Sequence, residues 1–332
     1  MPARRFVSRI AAAACVVSLA ACSASNTPSP TGAVAGATAR PPAATASPPA
    51  SHAAASVTPS VAASESRPDS PALAGEDAVT EVFPEGHFAT STVITNRWLP
   101  FVPGTQWTFE GSATVDGERI KRKVVLTTTD LVKVIDGVPT VVNYELDYDE
   151  GKLVEGELAF FGQADDGTVW HFGEYPEEYE DGEFVEAPTW LAGLQGAHAG
   201  IQMLAEPRTA LPSYSQGWGP AVDWTDRGRV FETASTTCVP AGCYPIVLVI
   251  DEFNRDEPDA HQLKYYAEGV GGVRVGWAGA KEEERETLEL VKLAHLDEAA
   301  LAKVRIAALA LDKHGSVASK DVYAQTTPAE QR

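Results

Sequence analysis

Five pairs of an acidic residue and glycine punctuate the middle of the chain: Asp116-Gly117, Asp136-Gly137, Glu150-Gly151, Asp166-Gly167 and Asp181-Gly182. Such a pair accepts the positive φ that tight hairpins demand. Their spacing leaves room for long strands joined by short turns, not for strand–helix–strand units. The runs between them alternate. Val142, Tyr144, Leu146 and Tyr148 share one face, with Asn143, Glu145, Asp147 and Asp149 on the other. Thr105, Trp107 and Phe109 oppose Gln106, Thr108 and Glu110 in the same way. This is the period of a half-buried antiparallel strand. The expected fold is mainly β: an antiparallel meander forming a curved sheet, a barrel or a half-barrel.

Further strands are expected at 229–237, 244–253, 263–267, 273–277 and 287–293. Trp190 to Gly219 is rich in glycine, proline and small residues. It is expected to run as a long excursion over one sheet edge or a barrel mouth. After His295 the period changes. Leu301, Val304, Ala308 and Leu311 are helically spaced, Asp297 can cap the start and Gly315 can end it. This predicts one C-terminal amphipathic helix, Asp297–Lys313, docked on the sheet. The folded domain is expected over 76–325, with 326–332 a disordered tail.

The N-terminus reads as an address. Arg4, Arg5 and Arg9 precede an apolar run, Ile10 to Ala21, too short to span a bilayer but suited to a signal-peptide core. It ends in Leu19-Ala20-Ala21-Cys22, which resembles a bacterial lipobox. The expectation is a lipoprotein signal peptide over 1–21 and a lipid anchor on Cys22, holding the chain on the extracytoplasmic face of a cell membrane. The general secretory route is favoured over the twin-arginine route. Residues 22–75 are dominated by Ala, Pro, Ser and Thr and lack aromatics, so they are expected to be a disordered linker. The chain carries 46 acidic against 26 basic side chains, a net charge of −20. That argues against nucleic acid as a partner and against a polybasic grip on anionic lipid.

Signals for chemistry are sparse. There is no His-Glu-x-x-His helix, Gly-x-Ser-x-Gly elbow or phosphate loop. Neither a cofactor nor a catalytic residue is assigned. Ser213, Ser215, His261 and Asp251 can be drawn as a triad, but no spacing demands it. Glu174, Glu177, Glu178, Glu180, Asp181 and Glu183 surround one turn and match no calcium loop, so no metal site is assigned and a solvated acidic surface is expected. Cys15 leaves with the signal peptide. Cys238 and Cys243 flank a short turn between strands and, in an oxidising compartment, are placed to pair. The aromatics Trp107, Phe109, Tyr144, Tyr148, Phe160, Trp170 and Phe172 either fill a core or line a cavity for an apolar ligand.

Several fragments resemble one family. Leu99-Pro100-Phe101-Val102-Pro103-Gly104-Thr105-Gln106-Trp107-Thr108-Phe109-Glu110-Gly111 resembles a PGT-x-W-x-[YF]-EG opening. Asp166 to Glu174 resembles a DG-x-VW-x-FGE segment, and Tyr265 to Gly271 a YYAPGVG segment with Glu268 in place of proline. These are segments of secreted bacterial proteins and lipoproteins to which no activity is assigned. The resemblance implies fold and location and transfers no site. The leading expectation is a non-enzymatic, lipid-anchored extracytoplasmic lipoprotein whose curved sheet binds something apolar. The alternatives are an envelope protein-interaction module and an unrecognised hydrolase. A cavity above roughly 300 Å³ is expected of a carrier.

Overall fold

The alternating runs become strands. In the computed structural model, which describes residues 73–257 and 259–332, they are β1 (Thr105–Val115), β2 (Glu118–Ile135), β3 (Val138–Asp149), β4 (Lys152–Gln163), β5 (Val169–Glu180), β6 (Glu183–Glu186), β7 (Trp190–Leu191), β8 (His198–Met203), β9 (Tyr214–Ser215), β10 (Gly217–Trp218), β11 (Arg227–Val239), β12 (Gly242–Phe253), β13 (His261–Ala267), β14 (Gly271–Ala278), β15 (Thr287–His295) and β16 (Glu330–Gln331). One α-helix, α1, spans Glu298–Ala318. The expected signal peptide, Cys22 and the linker up to residue 72 lie outside the described residues.

Across the sheet the order is β10-β8-β5-β4-β3-β2-β1-β15-β14-β13-β12-β11-β9. Two meanders, β1 to β5 and β11 to β15, are joined where β1 pairs with β15. Four of the acidic-glycine pairs have positive φ at both residues, as in Asp116 (51°) and Gly117 (82°), the backbone of a two-residue hairpin turn. The fifth works differently. The Asp166 carboxylate accepts from the Thr168 amide at 2.8 Å and its hydroxyl at 2.9 Å, and only Gly167 turns left-handed. Cys238 and Cys243 face each other across the β11–β12 hairpin and are disulfide-bonded.

The sheet curls but is not a closed barrel. Its two ends, β9 and β10, do not pair, yet they are consecutive in the chain with Gln216 alone between them. The covalent backbone therefore spans the seam. Close approach there requires glycine. A Cβ on Gly200 would lie 2.1 Å from the Gly217 nitrogen, and one on Gly217 would lie 2.5 Å from the Trp190 ring. The Trp190–Gly219 stretch is thus not an excursion over the sheet. β7 and β8 pair with β5, and Trp190, Leu191, Met203 and Tyr214 are buried.

On the outer face α1 lies against β2 and β4. Asp297 caps it by accepting from the Ala300 amide at 2.8 Å. The helix runs through Gly315 instead of ending there. A Cβ at Gly315 would come within 2.6 Å of Tyr323, so that glycine admits a ring rather than a turn. One buried polar group ties helix to sheet. Lys133 is 1% exposed. Its ammonium donates to Asp312 Oδ1 at 3.0 Å and to the Thr327 carbonyl at 2.7 Å, above the Tyr323 ring. Tyr323 also donates to Asp312 Oδ1, at 2.7 Å, and the Ala329 amide donates to Oδ2 at 3.2 Å. These contacts correct the expectation of a disordered tail over 326–332: Ala329 is buried and β16 pairs with Leu131 and Val132 of β2.

Asp312→Ala should destabilise the chain by about 3–5 kcal/mol in denaturant unfolding, because the Lys133 ammonium would stay buried without its partner. Lys133→Met with Asp312→Leu should recover most of that loss. A cost near zero for Asp312→Ala would show that the helix docks without this ion pair.

Candidate functional site

Strand parity divides each strand between two environments. On β4, Leu158 and Phe160 face outward, while Glu157, Ala159 and Phe161 face inward. The inward faces line a partly open cavity of about 240 Å³. Its walls include Trp107 and Phe109 of β1, Arg122, Val124 and Leu126 of β2, and Asn143, Glu145 and Asp147 of β3. Facing them are Glu252 of β12, Gln262, Lys264 and Tyr266 of β13, and Gln216, Trp224 and Asp226 near the seam.

This placement reverses part of the sequence expectation. Of the seven candidate ligand-lining aromatics, Trp107 and Phe109 line the cavity. The other five face the opposite side of the sheet. Phe160 packs 6.2 Å from Tyr323, next to α1. Trp170 and Phe172 pack at 5.3 and 5.8 Å from Phe83, in the segment before β1. Tyr144 and Tyr148 alternate with the cavity-lining residues of β3, and the Lys123 ammonium lies 5.8 Å from the Tyr148 ring. The polar face of β3, read from sequence as the solvent side, is the cavity side. The reason is that α1 and the segment before β1 cover the outer face, so the outer face also needs aromatics.

The cavity therefore combines apolar walls with an acidic lining. Seven carboxylates line it: Glu145, Asp147, Glu157, Glu174, Asp226, Glu252 and Glu286. Two cations accompany them, and both are already engaged. Arg122 grips Asp149 at 2.9 and 3.1 Å and Glu286 at 3.1 Å. Lys264 holds Glu252 at 2.7 Å. Asn143 Oδ1, Asp147 Oδ1 and Asp226 Oδ1 are buried with no hydrogen-bond partner. Burial is the main cause of raised carboxyl pKa values here. It pushes Glu145 up to about 7 against the pull of Lys264, Asp226 to about 7 with Glu252 beside it, and Glu174 to about 8 with Asp226 beside it. Asp147, Glu155 and Glu157 are pushed well above the carboxylate range by burial and then by one another's charge. His171, 2% exposed and stacked on Phe161, is pushed down to about 3 by burial and is neutral.

The acidic run on β5 is also split by parity. Glu174 faces the cavity. Glu177 is buried and accepts from Tyr175, from Tyr179 at 2.6 Å and from His314 at 2.6 Å. Glu180, Asp181 and Glu183 are exposed at the turn, so only that part is the solvated surface expected. Among the described residues no group of three His, Cys, Asp or Glu is placed to hold a metal ion. Of the drawn triad, Asp251 and His261 meet at 2.7 Å, but Ser213 accepts from Arg227 and Ser215 donates to the Gly217 carbonyl. Sequence reasoning missed Glu145, Asp147, Glu157 and Asp226 as site residues. The available signal was the acidic row 145, 147 on β3 beside 155, 157 on β4, opposite aromatic faces.

No family model and no curated relative matches the chain. Solved structures similar to it include a presumed exported protein with a YmcC-like fold from Bacteroides fragilis, 16% identical with a TM-score of 0.35. Another is a presumed lipoprotein from Parabacteroides distasonis, 13% identical with a TM-score of 0.29. Each match covers 60% of this chain and 99% of the other. Likeness at that level carries no functional inference. Among the described residues no helix is long and apolar enough to cross a membrane.

The raised carboxyl values fix a sign. Between the unfolded carboxyl range and pH 8, the folded state holds protons that the unfolded state has released, so stability falls as pH rises. His171 opposes this only below its unfolded pKa of about 6.5. From pH 6.5 to 8 the melting temperature should drop by several degrees, on the order of 2 kcal/mol after screening by cavity water. A melting temperature that rises over this interval would show that these carboxyls are ionised without cost.

Proposed function

We propose that the chain is an extracytoplasmic lipoprotein, anchored through Cys22, whose curled sheet is a small-molecule binding module. One observation carries the binding part: a partly open cavity whose walls hold buried acceptors with no partner in the protein. Asn143, Asp147 and Asp226 turn open oxygens toward a space that a ligand can enter. The lipobox-like Leu19-Ala20-Ala21-Cys22 after an apolar run supports the anchor. The linker to residue 75 serves as a tether that lifts the domain off the bilayer.

Two features favour binding over the alternatives. The Trp190–Gly219 stretch is itself taken up by the sheet through β7 and β8, with Trp190, Leu191 and Met203 buried, so it is not a free excursion that could dock a partner protein. Ser213 and Ser215, the hydroxyls drawn with Asp251 and His261 as a triad, bond to Arg227 and to the Gly217 carbonyl instead, so neither is held as a nucleophile by that pair. At about 240 Å³ the cavity is also smaller than the roughly 300 Å³ expected of a carrier.

In the native host, Cys22→Ala should move the protein from the membrane fraction to the soluble extracytoplasmic fraction. Retention in the membrane fraction would refute the anchor and leave the cavity argument untouched. The disulfide gives a second check on compartment. Exported protein, unfolded without reductant, should titrate with no free thiol at Cys238 and Cys243. Two free thiols would place the domain in a reducing compartment.

A further inference from the structure

The inner surface poses a specific chemical demand. It presents open acceptors and buried carboxyls whose ionised form only an added cation would stabilise, because both cations in the wall are engaged. Asn143 is 1% exposed and Asp147 9% exposed, both line the cavity, and an oxygen of each lacks a partner. Glu145 sits between them on the same strand face. Asp226, from the seam, adds another open acceptor. Arg122 and Lys264 cannot answer this demand, because their own contacts with Asp149, Glu286 and Glu252 hold them.

The walls narrow the ligand further. An inorganic divalent ion needs several ligands converging on one point, and among the described residues no three His, Cys, Asp or Glu side chains do so. The acceptors are strung along β3 and recur at the seam, so they suit a ligand whose positive groups are spaced apart. The rest of the lining includes aromatic rings. Trp107 donates its indole N–H to the Val270 carbonyl at 2.8 Å, which fixes the ring with its edge engaged. Phe109, Phe161 and Trp224 complete that apolar part. Carboxylates beside fixed aromatic faces are the surroundings in which an alkylammonium group is held, by charge-assisted hydrogen bonds and by cation–π attraction.

Building on the binding-module reading, we propose that this cavity takes an organic cation with two or more amino groups on an aliphatic chain. Its ammonium groups donate to Asn143, Glu145 and Asp147 at one side and to Asp226 at the other, while its methylenes lie against Trp107 and Phe109. An amine of this class supplies the donors and the positive charge that the walls lack.

Isothermal titration calorimetry of the full chain, solubilised in detergent at pH 8, tests this with spermidine, magnesium chloride and oleate as probes. Saturable binding of spermidine, much tighter than that of magnesium, is the expected result. Glu145→Gln with Asp147→Asn should weaken it by about tenfold or more, the loss of one or two charge-assisted hydrogen bonds. Those changes keep side-chain shape and replace two buried ionisable groups with neutral ones, so the variant's melting temperature should be unchanged or higher. Asp226→Asn probes the seam side independently and should also weaken binding. Magnesium binding as tightly as spermidine overturns the proposal, as does spermidine binding that neither variant alters. Oleate binding without spermidine binding overturns the cation assignment and keeps the binding module. No saturable binding of any probe removes both.

Discussion

A strand has two faces, and a sheet curled until its ends meet must do something with both. That constraint governs this molecule. The outer face of β2 to β5 is covered by α1 and by the segment before β1, so it carries an ordinary apolar and aromatic layer. The inner face meets no helix: Leu99 and Phe101, just before β1, pack on part of it, Phe101 against Trp107 and Phe161, and the rest is left to side chains of the sheet itself or to something from outside the chain. The seam at Gln216 turns this from tendency into necessity, because the backbone passes directly from one sheet end to the other. Gly200 and Gly217 are the condition for that passage, since any side chain there would strike backbone or the Trp190 ring.

Much of this was legible in sequence. The acidic-glycine turns and the alternation between them identified an antiparallel meander, and the change of period after His295 identified the helix. These are local signals: a positive φ, a period of two, a cap at Asp297. What stayed hidden was which face is inside. Alternation says that two faces differ, not which one meets solvent. Assigning Tyr144 and Tyr148 inward and Glu145 and Asp147 outward followed the usual polarity of a one-sided sheet. Here both faces are covered, and the rule loses its footing. Gly315 failed for a related reason. Its role is set by Tyr323, which follows the helix and folds back on it, and helical periodicity cannot see that contact. The tail after residue 325 likewise gains its order from Asp312 and β2 rather than from its own composition.

The candidate site was illegible for a different reason. Glu145, Asp147, Glu157 and Asp226 form no motif with fixed spacing. They are gathered by register between β3 and β4 and by the return of the chain at the seam. Taken singly, each is an ordinary acidic residue on an amphipathic strand in a chain already rich in acid. Only pairing brings the row on β3 against the row on β4, where Glu145 lies opposite Glu157 and Asp147 opposite Glu155. Like charges directly opposite each other in a sheet are unfavourable, so this register sets cross-strand repulsion against packing.

The contrast between two buried polar systems gives that repulsion its meaning. Around α1, Lys133, Asp312, Tyr323 and the Thr327 and Ala329 backbone groups form a network in which the ammonium and both carboxylate oxygens have partners. Such a network positions the helix and requires nothing from outside. The inner system is built from the same residue types but is left unbalanced, with acceptors in excess and both cations engaged. A fold that needed only to fill its interior could do so with leucine and valine, without the desolvation cost that raises the carboxyl pKa values there. The same chain satisfies the buried charges that dock the helix and leaves an oxygen each of Asp147 and Asp226 open where they face the cavity. Buried groups held in that state store binding free energy that a complementary ligand releases, which is the physical ground for reading the cavity as a site and not as an imperfectly packed core.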